Sequence, residues 1–260
     1  MSPTDGSVPG KRMGEVTALT YGLVALCALA AGTIGGVAGY GTGLLMPLVL
    51  VPVVGADAVV PIIGAAALFT NGSRIAAFRQ DIDGRRALLV GAAALPTCIL
   101  GAYGYTFLAS RGASLLIGTV LVAMVPVRLV LQRRRGHLSD RGLAAAGTGY
   151  GLLVGGTAGS GVMLLSILMA AGLNGRSVVA TDASISLVLG FVKTGTFQAL
   201  GSMPASSWVM AGLVGISAAP GAFIAKRLTQ ALPIRVHNAI LDAAIVAGGA
   251  VLIAQGLRAA

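Results

Sequence analysis

Charged residues stand inside the long apolar stretches of this chain, among them Arg74, Asp182 and Lys193. An ionisable side chain among apolar neighbours is costly at membrane depth and marks a candidate site by default. Lys193 opens Lys193-Thr194-Gly195-Thr196, so two hydroxyls follow the cation. It lies eight or so residues before the end of its apolar run at Leu200, about 12 Å deep in a helix. Lysine is a compact point charge, which suits an anion that must be released again better than a bidentate arginine fork does. Asp182 comes 11 positions earlier, a spacing that returns to within about 20° of the same helix face. The two are about 16 Å apart along that helix, too far to pair directly. They read as the ends of one polar stripe. Lys193 and Thr194 are candidates for contact with an anionic substrate; Asp182 and Thr181 are candidates for gating or coupling. Asp182 reads equally as a cap near the start of its segment. Arg74 is expected to reach toward the membrane interface or to join the gating set. Asn71, deeper in the same run, is expected to face a cavity, so its Asn71-Gly72-Ser73 sequon is not read as a glycosylation site.

A second set of candidates is backbone. Gly35-Gly36-Val37-Ala38-Gly39-Tyr40-Gly41 and Gly155-Gly156-Thr157-Ala158-Gly159-Ser160-Gly161 share one pattern, G-G-x-A-G-x-G, 120 residues apart. Small residues at such spacing can pack helices closely. They can also break a helix, so that backbone N–H groups line a polar cavity and a half-helix N-terminus points its partial positive charge at an anion. On the second reading Gly39, Gly41, Gly159, Gly161, Thr42 and Ser160 line the substrate site. No G-x-x-x-x-G-K-[ST] motif is present, so a nucleotide site is not supported. No His/Cys/Asp/Glu group has metal-ligand spacing, and no catalytic set is read. Neither a metal nor a cofactor is expected, and the chain is not read as an enzyme.

The elements that must position these residues follow from composition. The chain has 260 residues, 56% hydrophobic and only 10% charged. A soluble domain carries about 25% charged residues. Disorder is excluded by the apolar content. An all-α polytopic membrane protein remains. Apolar runs fall at 16–54, 57–78, 87–109, 113–131, 142–173, 177–200, 207–226 and 238–257, about eight segments. The runs 16–54 and 142–173 exceed the roughly 20 residues that cross a bilayer, and both hold a glycine cluster near the middle. Asp57 is expected to cap the segment after Gly55, and Asp242 to pair near Arg235 at an interface. The net charge of +10 reads as loop charge that sets topology rather than as a nucleic-acid surface.

The register around the clusters continues: Leu44, Leu45 and Leu48 match Leu164, Leu165 and Leu168, Gly55 matches Gly175, and Gly101-Ala102 matches Gly221-Ala222. The chain therefore divides into a disordered polar tail at 1–15, a first membrane repeat at 16–131, a basic cytoplasmic linker at 132–141 and a second repeat at 142–260. If each long run crosses once, the repeats are parallel; if each turns back at its glycines, they are inverted. Setting aside Arg74, Arg128 and Lys193 leaves 15 of the 18 basic residues to arbitrate. The turning arrangement places slightly more of them on one side, so inverted repeats are expected. Either arrangement puts the loops 79–86 and 132–141 in the cytoplasm.

The sequence resembles the TauE/SafE sulfite exporter family, also called the 4-toluene sulfonate uptake permease family. The likeness rests on Gly35–Leu48 with its Met46-Pro47-Leu48 ending, on Gly155–Leu168, on Ala180-Thr181-Asp182 with Val192-Lys193-Thr194-Gly195, and on Asp81-Ile82-Asp83 after the second segment. Ile167 stands where Pro47 would recur. The resemblance implies a multi-pass protein of a bacterial inner membrane. It implies a secondary transporter of small, sulfur-containing anions such as sulfite or organosulfonates, working by alternating access. Its partners are then the lipid bilayer and the anion, with a homodimer left open. A transporter of a neutral or cationic metabolite and a non-transporting membrane subunit are the competing readings.

Overall fold

A computed structural model of the chain describes residues 18–38, 42–133 and 138–228, with Val246, Ala250, Ile253, Ala254 and Leu257. The tail at 1–15, Gly39 and Gly41, Arg235, Asp242 and most of the run 238–257 lie outside the described residues. Within them the chain is helical, with no strand: α1 Ala18–Ala38, α2 Thr42–Val54, α3 Ala56–Phe78, α4 Gly84–Tyr105, α5 Ser110–Arg133, α6 Asp140–Gly156, α7 Gly161–Ala170, α8 Arg176–Ala199, α9 Ala205–Ala218 and α10 Pro220–Leu228.

Among the described residues, five stretches are long and apolar enough to cross a membrane: Ala18–Gly36, Ala56–Asp81, Gly84–Tyr105, Arg176–Ala199 and Ala205–Ala225. Their faces are divided as a bilayer requires. On α1, Leu19, Leu23 and Leu26 point outward at helical spacing, while Val24, Ala28 and Ala31 are buried. The first long apolar run forms α1 and α2, and the second is interrupted at its glycines, dividing into α6 and α7 around 157–160. At 13 and 10 residues, α2 and α7 are about 20 Å and 15 Å long, too short to cross a core of about 30 Å. Pro47 lies buried inside α2. The second run breaks with Ile167 in the equivalent place.

The helices pack in reciprocal pairs. α3 crosses α8 at the centre, α1 lies against α9 and α10, α6 lies against α4, and α9 meets α3 as α4 meets α8. Glycines set the close approaches. A Cβ on Gly101 would run into the Leu152 carbonyl of α6, and one on Gly221 would run into Gly32 of α1. These two contacts keep the 120-residue offset on both sides. Polar helix starts sit at the ends of α4 and α6. Asp83 caps α4, its carboxylate accepting from the Arg86 N–H at 3.0 Å, and Ser139 accepts from the Gly142 N–H. Arg85 reaches Asp140 and so joins these two starts. The N-cap of α3 is Gly55 rather than Asp57. Asp57 lies in the first turn and accepts a hydrogen bond from the Ser110 hydroxyl at 2.9 Å.

Candidate functional site

The second glycine cluster shows how a break becomes a site. α6 stops at Gly156, and Thr157 swings to an extended backbone, φ −139° and ψ 173°. Gly159 follows at φ +85°, in the left-handed region that a side chain disfavours. α7 then starts at Gly161, with Ser160 as an N-cap whose hydroxyl makes no capping bond. Opposite it, α2 starts at Thr42, and the two starts touch: a Cβ on Gly43 would lie 3.3 Å from the Gly159 nitrogen. Two helix N-termini, one from each broken run, thus converge. A helix start of this kind, as at α7, leaves its first N–H groups without helical partners and carries a partial positive charge of roughly half an elementary unit.

They open on a cavity of about 120 Å³. On the same measure one water needs roughly 10–15 Å³, so the space suits a small ion and a few waters. Thr42, Gly43, Asn71, Arg74, Gly159, Ser160, Gly161, Asp182 and Lys193 line it. The cavity therefore brings together most of the candidates drawn from the sequence. Two of them stand elsewhere. Thr194 is buried but does not line it, and its hydroxyl has no hydrogen-bond partner. Thr181 is fully buried and accepts from the Asp83 N–H at 3.0 Å, which ties α8 to the loop before α4.

Lys193 does not reach for the interface. It is 4% exposed, and its ammonium donates to the Val154 and Thr157 carbonyls, 2.7 Å each. Those carbonyls belong to the end of α6, where the helix stops supplying N–H partners and its partial charge is negative. Two of the three ammonium protons are therefore committed to the break. Arg74 is also withdrawn from the interface. It forms an ion pair with Asp182 at 2.9 Å, both side chains being almost fully buried. It also donates to the Asn71 side chain at 3.1 Å and toward the Val179 carbonyl at 3.4 Å. The physical reason is that α3 and α8 cross there, so Asp182 offers a far better partner than a distant headgroup. Arg74 Nε and Asp182 Oδ1 are left without hydrogen bonds.

Tyr150, Ser186, Gly64 and Gly190 also line the cavity and were not singled out from the sequence. The two glycines had a signal, since each is a small residue in mid-span. They let α3 and α8 close up: a Cβ on Gly64 would meet the methylenes of Lys193 at 3.4 Å, and one on Gly190 would meet Leu68 Cδ2 at 3.0 Å. Tyr150 and Ser186 had none: their places depend on which face of α6 and α8 turns inward.

Such an arrangement defines a class: a multi-pass helical membrane protein that encloses a small, cation-rich polar cavity between two broken helices. The chain belongs to the sulfite exporter TauE/SafE family, whose model matches residues 24–252. It is thereby a member of a family of membrane transporters. No curated protein and no solved structure matches the chain.

Proposed function

We propose that this protein is a secondary transporter that moves a small sulfur-containing anion, sulfite or an organosulfonate, through the cavity by alternating access. The convergence of two helix N-termini with Arg74 and Lys193 on one small space carries this reading. The N–H groups of the α2 and α7 starts are the anion's main hydrogen-bond donors. Arg74 and Lys193 supply net positive charge, and Lys193 also holds the break in shape. A metabolite cation is the weaker alternative, because the cavity's one carboxylate among the described residues is already paired with Arg74.

The moving parts on this reading are two inverted repeats, 16–131 and 142–260. The matched contacts of Gly101 with α6 and Gly221 with α1 support two copies of one unit. The loops 79–86 and 132–141 face the cytoplasm and the protein sits in the bacterial inner membrane, in keeping with the basic residues of those loops. Reconstitution into proteoliposomes tests the function. Sulfite, thiosulfate, sulfoacetate and methanesulfonate, but not neutral amino acids, are expected to raise the melting temperature and to cross the membrane. Absence of any anion-dependent flux or stabilisation would leave a non-transporting membrane subunit as the better reading.

A further inference from the structure

The charged groups lining the cavity, among the described residues, are two cations and one carboxylate: Arg74, Lys193 and Asp182. All three are at least nine-tenths buried. In so enclosed a space an uncompensated charge is expensive, and the total of protein and cargo must stay near neutral. Resting on the anion reading above, we infer that a divalent anion enters this cavity together with one proton held by Asp182, whereas a monovalent anion enters with none.

The count runs from +1 for the empty cavity. A monovalent anion cancels it. A divalent anion leaves −1 unless one negative charge on the protein is removed. Asp182 is the group placed to lose it. Its Oδ2 faces Arg74 at 2.9 Å, while Oδ1 has no hydrogen-bond partner. A proton from solvent can settle on Oδ1 without displacing Arg74 from Oδ2. The cavity then stands at +2 and the divalent anion cancels it. When the anion leaves, the proton returns to water. The partial charges of the α2 and α7 starts and of the α6 end are the same in both cases and drop out of the comparison.

Among the described residues, the surroundings of Asp182 offer no second proton carrier of this kind. From α3 it faces Arg74, and Tyr150 of α6 lines the same cavity together with Ser186 and Ser160. On α8 itself Lys193 is tied to two carbonyls. From α4, Cys98 is the titratable group near Lys193, and its thiol is turned to the Leu189 carbonyl. The loop before α4 brings Asp83, which meets Thr181 through its backbone and Arg86 through its carboxylate.

Thiosulfate and methanesulfonate make the test, because both stay fully ionised near neutral pH and differ in charge. Any proton taken up on binding is then on the protein. The full-length protein in detergent is titrated with each anion in weakly buffered solution, with binding followed by calorimetry and proton uptake by a pH indicator. The expected result is about one proton per thiosulfate and none per methanesulfonate. Thiosulfate affinity should rise about tenfold per pH unit lowered across that range, while methanesulfonate affinity stays level. Asp182→Asn should abolish the uptake while thiosulfate still binds. Should that variant fail to fold, the two anions on the unaltered protein decide the matter. Thiosulfate bound without a proton, or equal uptake with both anions, overturns the inference while leaving the anion site in place. If neither anion binds, the anion reading falls and takes this inference with it.

Discussion

Lys193 holds the end of α6 at Thr157, its ammonium 2.7 Å from the Thr157 carbonyl, although Lys193 belongs to α8, a separate helix that begins only at Arg176. The cation therefore has two tasks that substitution can separate. Lys193→Met removes the charge and leaves the Val154 and Thr157 carbonyls buried without donors, at about 1–3 kcal/mol each. A clear drop in melting temperature and a loss of anion affinity of at least about tenfold, one full charge contact, are expected. Lys193→Arg should recover part of both, since the fork carries the charge but not the compact shape. If Lys193→Met melts early yet binds anions as tightly as before, the lysine serves the break alone and the helix N-termini hold the anion.

The ion pair between Arg74 and Asp182 is coupled, so its partners should not contribute independently. Arg74→Met leaves a buried carboxylate uncompensated, which typically costs about 3–5 kcal/mol. Arg74→Met combined with Asp182→Leu removes both charges and should be more stable than Arg74→Met alone. Unfolding in detergent of the two single variants and the double variant measures this. Additive losses would mean that the pair carries no mutual stabilisation.

The broken helices could be read from sequence because an apolar run much longer than the bilayer core must stop or turn within it, and a glycine cluster is where the backbone does so with least strain. The interruption between α6 and α7 falls on the second of those clusters. Thr42, Ser160, Gly159, Asp182 and Lys193 reach the cavity because they flank a break or share a face of α8. What stayed hidden was pairing across sequence. Arg74 and Asp182 are 108 positions apart, and periodicity along α8 describes only where Asp182 points, not which helix it meets. For the same reason the α8 stripe suggested that Lys193 was free for cargo. Its two acceptors lie on α6, and their need for a donor arises only once that helix has stopped.

Asp83 gives a prediction about pH outside the membrane-spanning segments. The Arg86 N–H, followed by the Arg86 guanidinium, holds its carboxyl below the ordinary value of 3.8. A group whose folded value is depressed stabilises the fold above its unfolded value and loses that contribution as pH falls through the folded one. The cap of α4 should therefore be at full strength at neutral pH and fade only below 3.8. Asp83→Ala is expected to cost about 1 kcal/mol, while Asp83→Asn keeps most of the cap but loses the acid-side dependence. Melting temperatures across about pH 3 to 7 check both. A wild-type profile identical to that of Asp83→Asn would remove the carboxylate from the account.

The two glycines that frame the start of α7 should fail for different reasons. Gly159 has φ +85°, and a Cβ there would meet Leu121 Cδ2 at 3.0 Å and Leu44 Cδ2 more closely still. The backbone strain alone is about 1–2 kcal/mol, and crowding of a packed neighbourhood adds typically 1–3 kcal/mol. Gly159→Ala should thus lower the melting temperature and reduce the amount of folded protein. Gly161 lies inside the first turn of α7, and a Cβ there meets no heavy atom within 4 Å. Gly161→Ala should fold as well as the parent, or better by up to about 1 kcal/mol from helix propensity. Yet position 161 lines the cavity, beside the N–H groups proposed to receive the anion. Gly161→Val should therefore leave folded protein in the membrane while its side chain takes space from the cargo. Flux should drop at least about tenfold, the effect of losing one good contact. Melting curves and proteoliposome flux on the same preparations separate the two cases. Full flux through Gly161→Val would mean that the anion does not pass the α7 start.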